Sequence, residues 1–260
     1  MRIVNVVHIG NQCGVASTLQ RCMRNEYSIR VIEKTENDPY GHTNKNSLIS
    51  GKIAFSASCG WAAHHADLVH IHSHDRFLNF LFLGKIPAVM HYHGTDIRGR
   101  WEEKRRNWEN ADRILVSTRD LLDGAPDGVE YFPNPVDPMF KPGKLPDREC
   151  AVHFSYNADE EAQAIAEEND LPLVIVKQKI PHHDIPALLH NYTHIVEVKK
   201  KNGKIIMGSV EDTGSLLSLE ALASGLTVLC RDGWRRDLPL EHRLEEAVKT
   251  LGRIYKELIE

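Results

Sequence analysis

Short apolar runs alternate with helical patterns along most of the 260-residue chain. Helical segments between successive short strands are typical of a parallel sheet covered by helices. The predicted strands are Ile3–Ile9, Ile29–Glu33, Lys52–Phe55, Leu68–His72, Ala88–His91, Ile114–Ser117, Val129–Phe132, Cys150–Phe154, Leu173–Val176, His194–Val198, Ile205–Met207 and Thr227–Cys230. We therefore expect an α/β fold.

A proline-rich stretch interrupts this alternation. Three prolines fall between Phe132 and Pro138 without any helical period, and the residues up to Pro146 also break regular structure. We interpret the stretch as a linker between a first domain of residues 1–139 and a smaller second domain of residues 140–240. The last segment, residues 241–260, has apolar side chains at helical spacing and predicts an amphipathic helix.

The composition limits the class of protein. Hydrophobic residues make up 42% of the chain and charged residues 26%, which is typical of a globular protein. The formal net charge of -4 argues against a dedicated nucleic-acid-binding protein. The five cysteines include no Cys-x-x-Cys pair, which favours a reducing compartment. No apolar run approaches the roughly 20 residues of a membrane span, so we expect a cytoplasmic protein.

The segment from Asp212 to Leu229 carries the strongest functional signal. Gly214 and Ser215 form a turn that opens a short apolar helix, and Leu216 is its first apolar residue. The first N–H groups of a helix lack partners within it and attract anions such as phosphate. Glu220 lies about two turns beyond Asp212, where a carboxylate can bind a pair of ribose hydroxyls. The same pattern also occurs in ordinary α/β proteins, so that interpretation stays open.

This segment resembles the donor-site motif of the retaining glycosyltransferases of family 4, which have the GT-B fold. The match is specific at Glu220-Ala-Leu-Ala-Ser-Gly225, whereas Asp212 stands where the family usually has Glu. Further similar segments follow in the family's order across both halves of the chain. They are Ala66–His72, His93-Gly-Thr-Asp96, Ala111–Ser117, Pro133-Asn-Pro-Val-Asp137 and Ile180–Leu189.

The resemblance implies two Rossmann-like domains with a cleft between them, and a C-terminal helix that packs back on the first domain. It implies transfer of a hexose from a nucleoside diphosphate sugar, with no cofactor and no metal. The acceptor, whether glycan, lipid or small molecule, is not specified. The segment Ile180–Leu189 corresponds to the family's turn and helix beside the nucleotide base.

The resemblance also assigns roles to individual residues. The catalytic candidates are His93, which would lie against the transferred sugar, and Asp212. Donor-binding candidates are Gly14, Lys177, Lys179, Gly214, Ser215, Leu216 and Glu220, and acceptor-side candidates are His72, His91 and Asp96. Residues 150–180 lack the family's Arg and Lys that neutralise the diphosphate. Lys177 or Lys179 is the nearest candidate to replace them, and Lys199–Lys201 is a further possibility.

The histidines support a rival interpretation. Residues two apart in a strand share a face, so His70 and His72 would point the same way, as would His91 and His93. Two adjacent parallel strands would then gather four imidazoles, which is plausible geometry for a zinc or binuclear site. The rival function is a metal-dependent hydrolase. A third alternative is a protein that binds sugar nucleotides without catalysis.

A basic and aromatic stretch runs from Arg98 to Trp108. It has five cationic residues with Trp101 and Trp108, so it is a candidate for contact with anionic lipid headgroups or a phosphate-bearing acceptor. On that interpretation the protein would act peripherally at the inner face of the membrane. The alternative is a solvated helix face whose charge Glu102, Glu103 and Glu109 partly neutralise.

Overall fold

The computed structural model of the protein describes residues 3–80, 86–155, 157–201, 204–207 and 215–260. The chain divides into two compact units, one made of Met1–Pro135 with Leu244–Glu260 and the other of Val136–Arg243. The division falls within the proline-rich stretch. Among the described residues, no helix combines the length and the hydropathy needed to cross a bilayer.

The first unit is built on a seven-stranded sheet whose strands are all parallel. In chain order its elements are β1 (Val4–Ile9), α1 (Val15–Met23), β2 (Tyr27–Lys34), β3 (Leu48–Ile49), α2 (Lys52–His64), β4 (Leu68–His72), β5 (Ala88–Tyr92), α3 (Arg105–Trp108), β6 (Arg113–Val116), β7 (Val129–Tyr131) and, from the end of the chain, α7 (Leu244–Ile259). The strand order is β3-β2-β1-β4-β5-β6-β7. The order reverses direction between β1 and β4, which is the topological switch point of the sheet.

Helices cover both faces of this sheet, because alternate strand residues are apolar on each side. On one face Leu19 of α1 and Leu251 of α7 pack with Val6 and Leu68. On the other face α2 packs against Ile71 and its neighbours. The unit is therefore doubly wound, as in Rossmann-like proteins.

The second unit has a smaller sheet of the same kind. Its elements are β8 (Ala151–Phe154), α4 (Asp159–Glu168), β9 (Leu173–Val176), α5 (Ile185–Leu189), β10 (His194–Val196), β11 (Lys199–Lys201), β12 (Lys204–Met207), α6 (Leu216–Ala223), β13 (Thr227–Cys230) and β14 (Gly233–Arg235). The main sheet has the order β14-β13-β10-β8-β9, with only β14 antiparallel among the described strands. Strands β11 and β12 form a separate antiparallel hairpin.

The predicted α/β class with two Rossmann-like units is confirmed, and one predicted strand is wrong. Residues Lys52–Phe55 form the first turn of α2 and not a strand. Phe55, Cys59 and Ala62 are all buried on one face of this helix at a spacing of three to four residues. The helical period therefore overrides the strand propensity of the short apolar run. The C-terminal helix begins at Leu244, after a short helical turn at Leu240–His242.

Candidate functional site

The carboxyl ends of β1 and β4 meet at the switch point of the first unit, which is where open parallel sheets bind ligands. Gly10 directly follows β1 and has a φ of +87°. A Cβ atom at this position would lie 2.6 Å from the carbonyl oxygen of His72 at the end of β4. Only glycine therefore allows the loop after β1 to pack this closely against the end of β4.

Five histidines lie together at this edge on the face covered by α1 and α7, and we call them the histidine cluster. The strand register places His8 beside His70 and His72 beside His91. All four are at most 1% exposed, whereas His93, just beyond the end of β5, is only partly buried. The predicted pairing of strand faces is thus present in the structure, and β1 adds a histidine that the sequence interpretation did not include.

A chain of close polar contacts runs through the cluster from α7. The Tyr255 hydroxyl lies 2.7 Å from Nδ1 of His70 and 3.0 Å from Nε2 of His8. Nδ1 of His8 is 2.9 Å from Nε2 of His72, and Nδ1 of His72 is 3.0 Å from Nε2 of His93. The contacts connect the C-terminal helix with the rim of the sheet.

Burial keeps the cluster neutral at physiological pH. It lowers the pKa of His8 to about 3 and the pKa of His93 to about 4. Burial also holds the pKa of His70, His72 and His91 well below the usual value, and repulsion from neighbouring imidazoles adds to the effect.

Neutral imidazole is the form that binds metal ions. Two sets of three ring nitrogens, His8/His70/His72 and His72/His91/His93, each lie within 4.8 Å of one another.

The loop after β5 holds His93 in place. The carboxylate of Asp96 accepts hydrogen bonds from the backbone N–H groups of His93 and Gly94, at 3.0 and 2.7 Å, and from the Ser73 hydroxyl at 2.6 Å. Asp96 therefore fixes the turn that carries His93 and joins it to the end of β4. The structure thus brings together four of the predicted site residues: His72, His91, His93 and Asp96.

Gly14 is the N-cap of α1 and has a left-handed conformation, with a φ of +78°. The first turn is capped from within the chain, because Oδ1 of Asn11 accepts the backbone N–H of Ser17 at 3.0 Å. The Asn11 amide donates in turn to the hydroxyls of Ser17 and Thr43, each at 2.8 Å. The sequence interpretation missed Asn11, because it lies three residues before the N-cap Gly14 and reaches Ser17 only through the turn between them.

In the second unit, Ser215 is the N-cap of α6. Its hydroxyl accepts the backbone N–H of Ser218 at 3.2 Å, and its own N–H donates to Oε1 of Glu197 at 2.5 Å. Glu197 follows β10 directly, is 3% exposed and forms an ion pair with Arg235 of β14. The sequence interpretation missed Glu197 and Arg235, since nothing local distinguishes them from surface charges. Leu216 begins α6, and Asp212 and Gly214 lie outside the described residues.

Glu220 is buried in the middle of α6. Nε2 of His182, in the turn before α5, lies 2.8 Å from its Oε1 atom. Burial raises the pKa of the Glu220 carboxyl, and the contact with His182 opposes this shift. The segment that resembles the family's base-binding turn therefore contacts the residue expected to bind ribose.

The two predicted diphosphate ligands follow β9. The Lys177 side chain is 75% exposed, with Nζ 3.8 Å from a carboxylate oxygen of Asp159. Lys179 is also exposed. Both lysines lie just beyond the carboxyl end of the strand, and their contact with a donor stays a prediction.

The stretch Arg98–Trp108 has its tryptophans turned inward. Trp101 is 3% exposed and packs edge-on against Trp108. The guanidinium groups of Arg98 and Arg105 form ion pairs with Asp120 and Glu109. This geometry favours the solvated, charge-paired face over an exposed aromatic surface, and membrane contact stays a prediction.

No family model and no curated protein matches the chain. Among solved structures, the glycosyltransferase SnogD from Streptomyces nogalater is 13% identical, with 100% of this chain and 90% of that chain covered and a TM-score of 0.41. MurG from Acinetobacter baumannii is 11% identical, with coverages of 96% and 83% and a TM-score of 0.43. A UDP-N-acetylglucosamine 2-epimerase is 10% identical, with coverages of 99% and 90% and a TM-score of 0.46. Similarity at this level assigns neither a family nor an activity to the chain.

Proposed function

We propose that the protein is a retaining glycosyltransferase that moves a hexose from a nucleoside diphosphate sugar to an acceptor. The observation that carries the proposal is the 2.8 Å contact between His182 and Glu220. These residues lie 38 positions apart in two segments that resemble, respectively, the base-binding turn and the ribose-binding helix of family 4. Their contact is what a single nucleoside site made from both segments requires.

In this proposal Oε1 of Glu220 contacts His182, and Oε2 of Glu220 accepts hydrogen bonds from the ribose hydroxyls. Ser215 and Leu216 at the start of α6 would face the diphosphate, and Gly214, outside the described residues, stays a donor-binding candidate. The backbone N–H of Ser215 already binds Glu197, so the helix N-terminus supplies only part of the positive charge that two phosphates need. We assign the remainder to Lys177 and Lys179. Gly14, which precedes α1 in the first unit, stays a separate candidate for phosphate binding.

On the first unit, we keep His93 as the candidate that contacts a sugar. Asp96 fixes the loop that carries it. A Cβ at Gly94 would meet only the Arg98 guanidinium within 4 Å, at 3.9 Å, which leaves room for a close approach. His72 and His91 are fully buried, so we assign them to positioning His93 and not to direct contact with the acceptor. Asp212 keeps its proposed place beside the reacting sugar. The mechanism would depend on positioning and on stabilisation of the departing diphosphate, without a protein nucleophile or a cofactor.

Calorimetry with a panel of nucleoside diphosphates tests the donor site. We expect Glu220→Gln to weaken binding by about 1.5–3 kcal/mol, the range for hydrogen bonds to a charged group. Glu168→Gln, on the exposed end of α4, is the matched control and should bind as the wild type does. Equal affinities in all three proteins would remove Glu220 from the site.

Two further outcomes separate the rival functions. Hydrolytic activity that depends on metal and disappears in excess chelator would favour the metal-dependent hydrolase. Nucleotide binding without turnover of any donor would favour a non-catalytic binder. The proposed transferase should instead release nucleoside diphosphate in excess chelator, and the product should retain the donor's anomeric configuration, as measured by NMR.

A further inference from the structure

The most unusual feature of the histidine cluster is that His91 has two buried ring nitrogens without a hydrogen-bond partner of normal geometry among the described residues. The side chain is 0% exposed. A neutral imidazole has one N–H donor and one lone pair, and burying both without partners is costly. The backbone of Phe132 lies near enough to favour the N–H form of one nitrogen. The lone pair of the other still lacks a partner.

Two more imidazoles converge on the same place. Ring nitrogens of His72, His91 and His93 lie within 4.8 Å of one another. The ring centroids of His91 and His93 are 4.0 Å apart, and those of His72 and His91 are 5.4 Å apart. A tetrahedral metal ion with bonds of about 2.0–2.1 Å separates its ligand atoms by about 3.3 Å, so small side-chain movements would close the site.

We propose that His72, His91 and His93 bind one divalent transition-metal ion of the first row, with zinc the best chemical fit. Three neutral imidazoles suit zinc, cobalt, nickel or copper and exclude magnesium and calcium, which prefer oxygen ligands. The metal site is inferred from the geometry of the histidine cluster alone, although the proposed function uses the same His93 to contact the transferred sugar.

The surrounding hydrogen bonds fit this assignment. When Nδ1 of His72 binds the metal, its Nε2–H donates to Nδ1 of His8. Nε2–H of His8 then donates to the Tyr255 oxygen, and the Tyr255 hydroxyl donates to Nδ1 of His70. These three donors each have an acceptor at 2.7–3.0 Å, and the remaining donor, Nε2–H of His70, has no hydrogen-bond partner among the described residues. Hydrogen bonds of this kind fix the tautomer and orientation of metal-binding histidines.

The position of the three histidines also meets the requirements for access and charge. His93 is partly exposed at the rim of the sheet, so an ion can enter from that side. The carboxylate of Asp96 accepts the backbone N–H of His93, so a negative charge lies close to the residue at the rim. The other triad, His8/His70/His72, is fully buried, and Tyr255 already occupies a nitrogen of both His8 and His70. The rim triad is therefore the preferred site.

Cobalt titration of the full chain without an affinity tag tests the proposal, after chelator treatment and dialysis. We expect equimolar Co²⁺ binding with the visible absorption of a four- or five-coordinate ion. His93→Ala should weaken Co²⁺ binding by at least about 100-fold. The double variant His64→Ala/His65→Ala removes two adjacent surface histidines from α2 and its C-cap and should bind as the wild type does.

A wild type that binds no Co²⁺, or a folded His93→Ala variant with wild-type affinity, would overturn the proposal. The second result would point to the His8/His70/His72 triad, which does not contain His93. If His93→Ala fails to fold, X-ray absorption at the zinc edge of the wild type provides the test. Both triads offer three imidazoles, so three imidazole nitrogens at about 2.0–2.1 Å that persist in His70→Ala would support the site, and fewer imidazoles would refute it.

Discussion

The Tyr255 hydroxyl lies 2.7 Å from Nδ1 of His70 in the interior of the first unit. The two residues are 185 positions apart, on α7 and on β4, and the same hydroxyl reaches Nε2 of His8 on β1. All three side chains are fully buried. A polar contact therefore joins α7 to the centre of the first sheet. With apolar packing alone, Nδ1 of His70 and Nε2 of His8 would lack this hydrogen-bond partner.

Removal of this hydroxyl should destabilise the protein. We expect Tyr255→Phe to lower the free energy of unfolding by about 1–3 kcal/mol, because two buried imidazole nitrogens lose their partner while the ring packing is kept. Tyr40→Phe removes a hydroxyl from a residue that is 43% exposed and is the control, with an expected change below about 0.5 kcal/mol. Urea denaturation measures both, and equal effects would contradict a structural role for the Tyr255 contact.

The histidine cluster should make stability depend on pH. Burial lowers the pKa of His8 to about 3 and the pKa of His93 to about 4, whereas the unfolded chain has histidines with a pKa near 6.5. Between these values the unfolded chain binds protons that the folded chain does not. Stability is therefore complete above about pH 6.5 and falls as the pH decreases towards 4.

Each such histidine contributes a slope of about 1.4 kcal/mol per pH unit. Urea denaturation of the metal-free protein at a series of pH values between about 7 and 5 measures the summed slope. The double variant His64→Ala/His65→Ala should keep it, since both side chains are exposed. A free energy of unfolding that stays constant over this range would show that the cluster is not buried in its neutral form.

Gly10 and Gly41 provide a matched test of the switch-point loop. Both have a positive φ, +87° and +70°, so alanine is strained at either position. Around Gly41 no atom lies within 4 Å of the added Cβ, whereas at Gly10 it would lie 2.6 Å from the His72 carbonyl oxygen. We expect Gly41→Ala to cost about 1–2 kcal/mol and Gly10→Ala distinctly more. Equal losses in urea denaturation would show that the close approach of the two loops is unimportant.

The ion pair of Glu197 and Arg235 should be essential to the stability of the second unit. The two side chains are 2% and 11% exposed, so Arg235→Met leaves a buried carboxylate without its countercharge. We expect a loss of about 3–5 kcal/mol in the free energy of unfolding. Arg236→Met, at the exposed neighbouring position, is the control with little expected effect. Thermal and urea unfolding should agree, and a stable Arg235→Met variant would contradict the assignment.

Local patterns predicted the elements of the fold well, because alternation of strands and helices depends on short-range periodicity. The shared face of His70 and His72 also followed from the two-residue repeat of a strand, and the approach of His91 followed from the expectation that the two strands are adjacent. The contributions of His8 and Tyr255 did not, because they depend on which strands are neighbours and on which face α7 covers. Such pairings over nearly the whole chain are set by tertiary packing, which no local pattern records.

The same distinction explains the other differences. Lys52–Phe55 resembles a strand when taken alone, and only the burial of Cys59 and Ala62 further along shows the helical period. In the sequence, Glu197 and Arg235 look like ordinary surface charges. The fold of β10 and β14 brings them together as an ion pair. Glu220 was identified from its motif, and its contact with His182 became evident only in the folded chain.

The proposed replacement of the family's diphosphate-binding pair can be tested with Lys177 and Lys179. Each is exposed just beyond β9, where a cationic group can reach a ligand at the edge of the sheet. Replacement by methionine keeps most of the side-chain length and removes the charge. A lysine that binds phosphate should then lose at least about 1 kcal/mol of affinity for a nucleoside diphosphate, and almost none for the nucleoside alone.

Lys144→Met is the matched control, because Lys144 is also exposed in the second unit and lies far along the chain from β9. Calorimetry with both ligands separates the charge effect from a general loss of the site. The ammonium group of Lys177 lies 3.8 Å from the Asp159 carboxylate, which is a weak, exposed ion pair. Breaking this ion pair to bind a phosphate therefore costs little free energy. If both methionine variants bind the diphosphate as the wild type does, neither lysine replaces the missing pair. A sugar-nucleotide binder without catalysis then becomes the better description of the second unit.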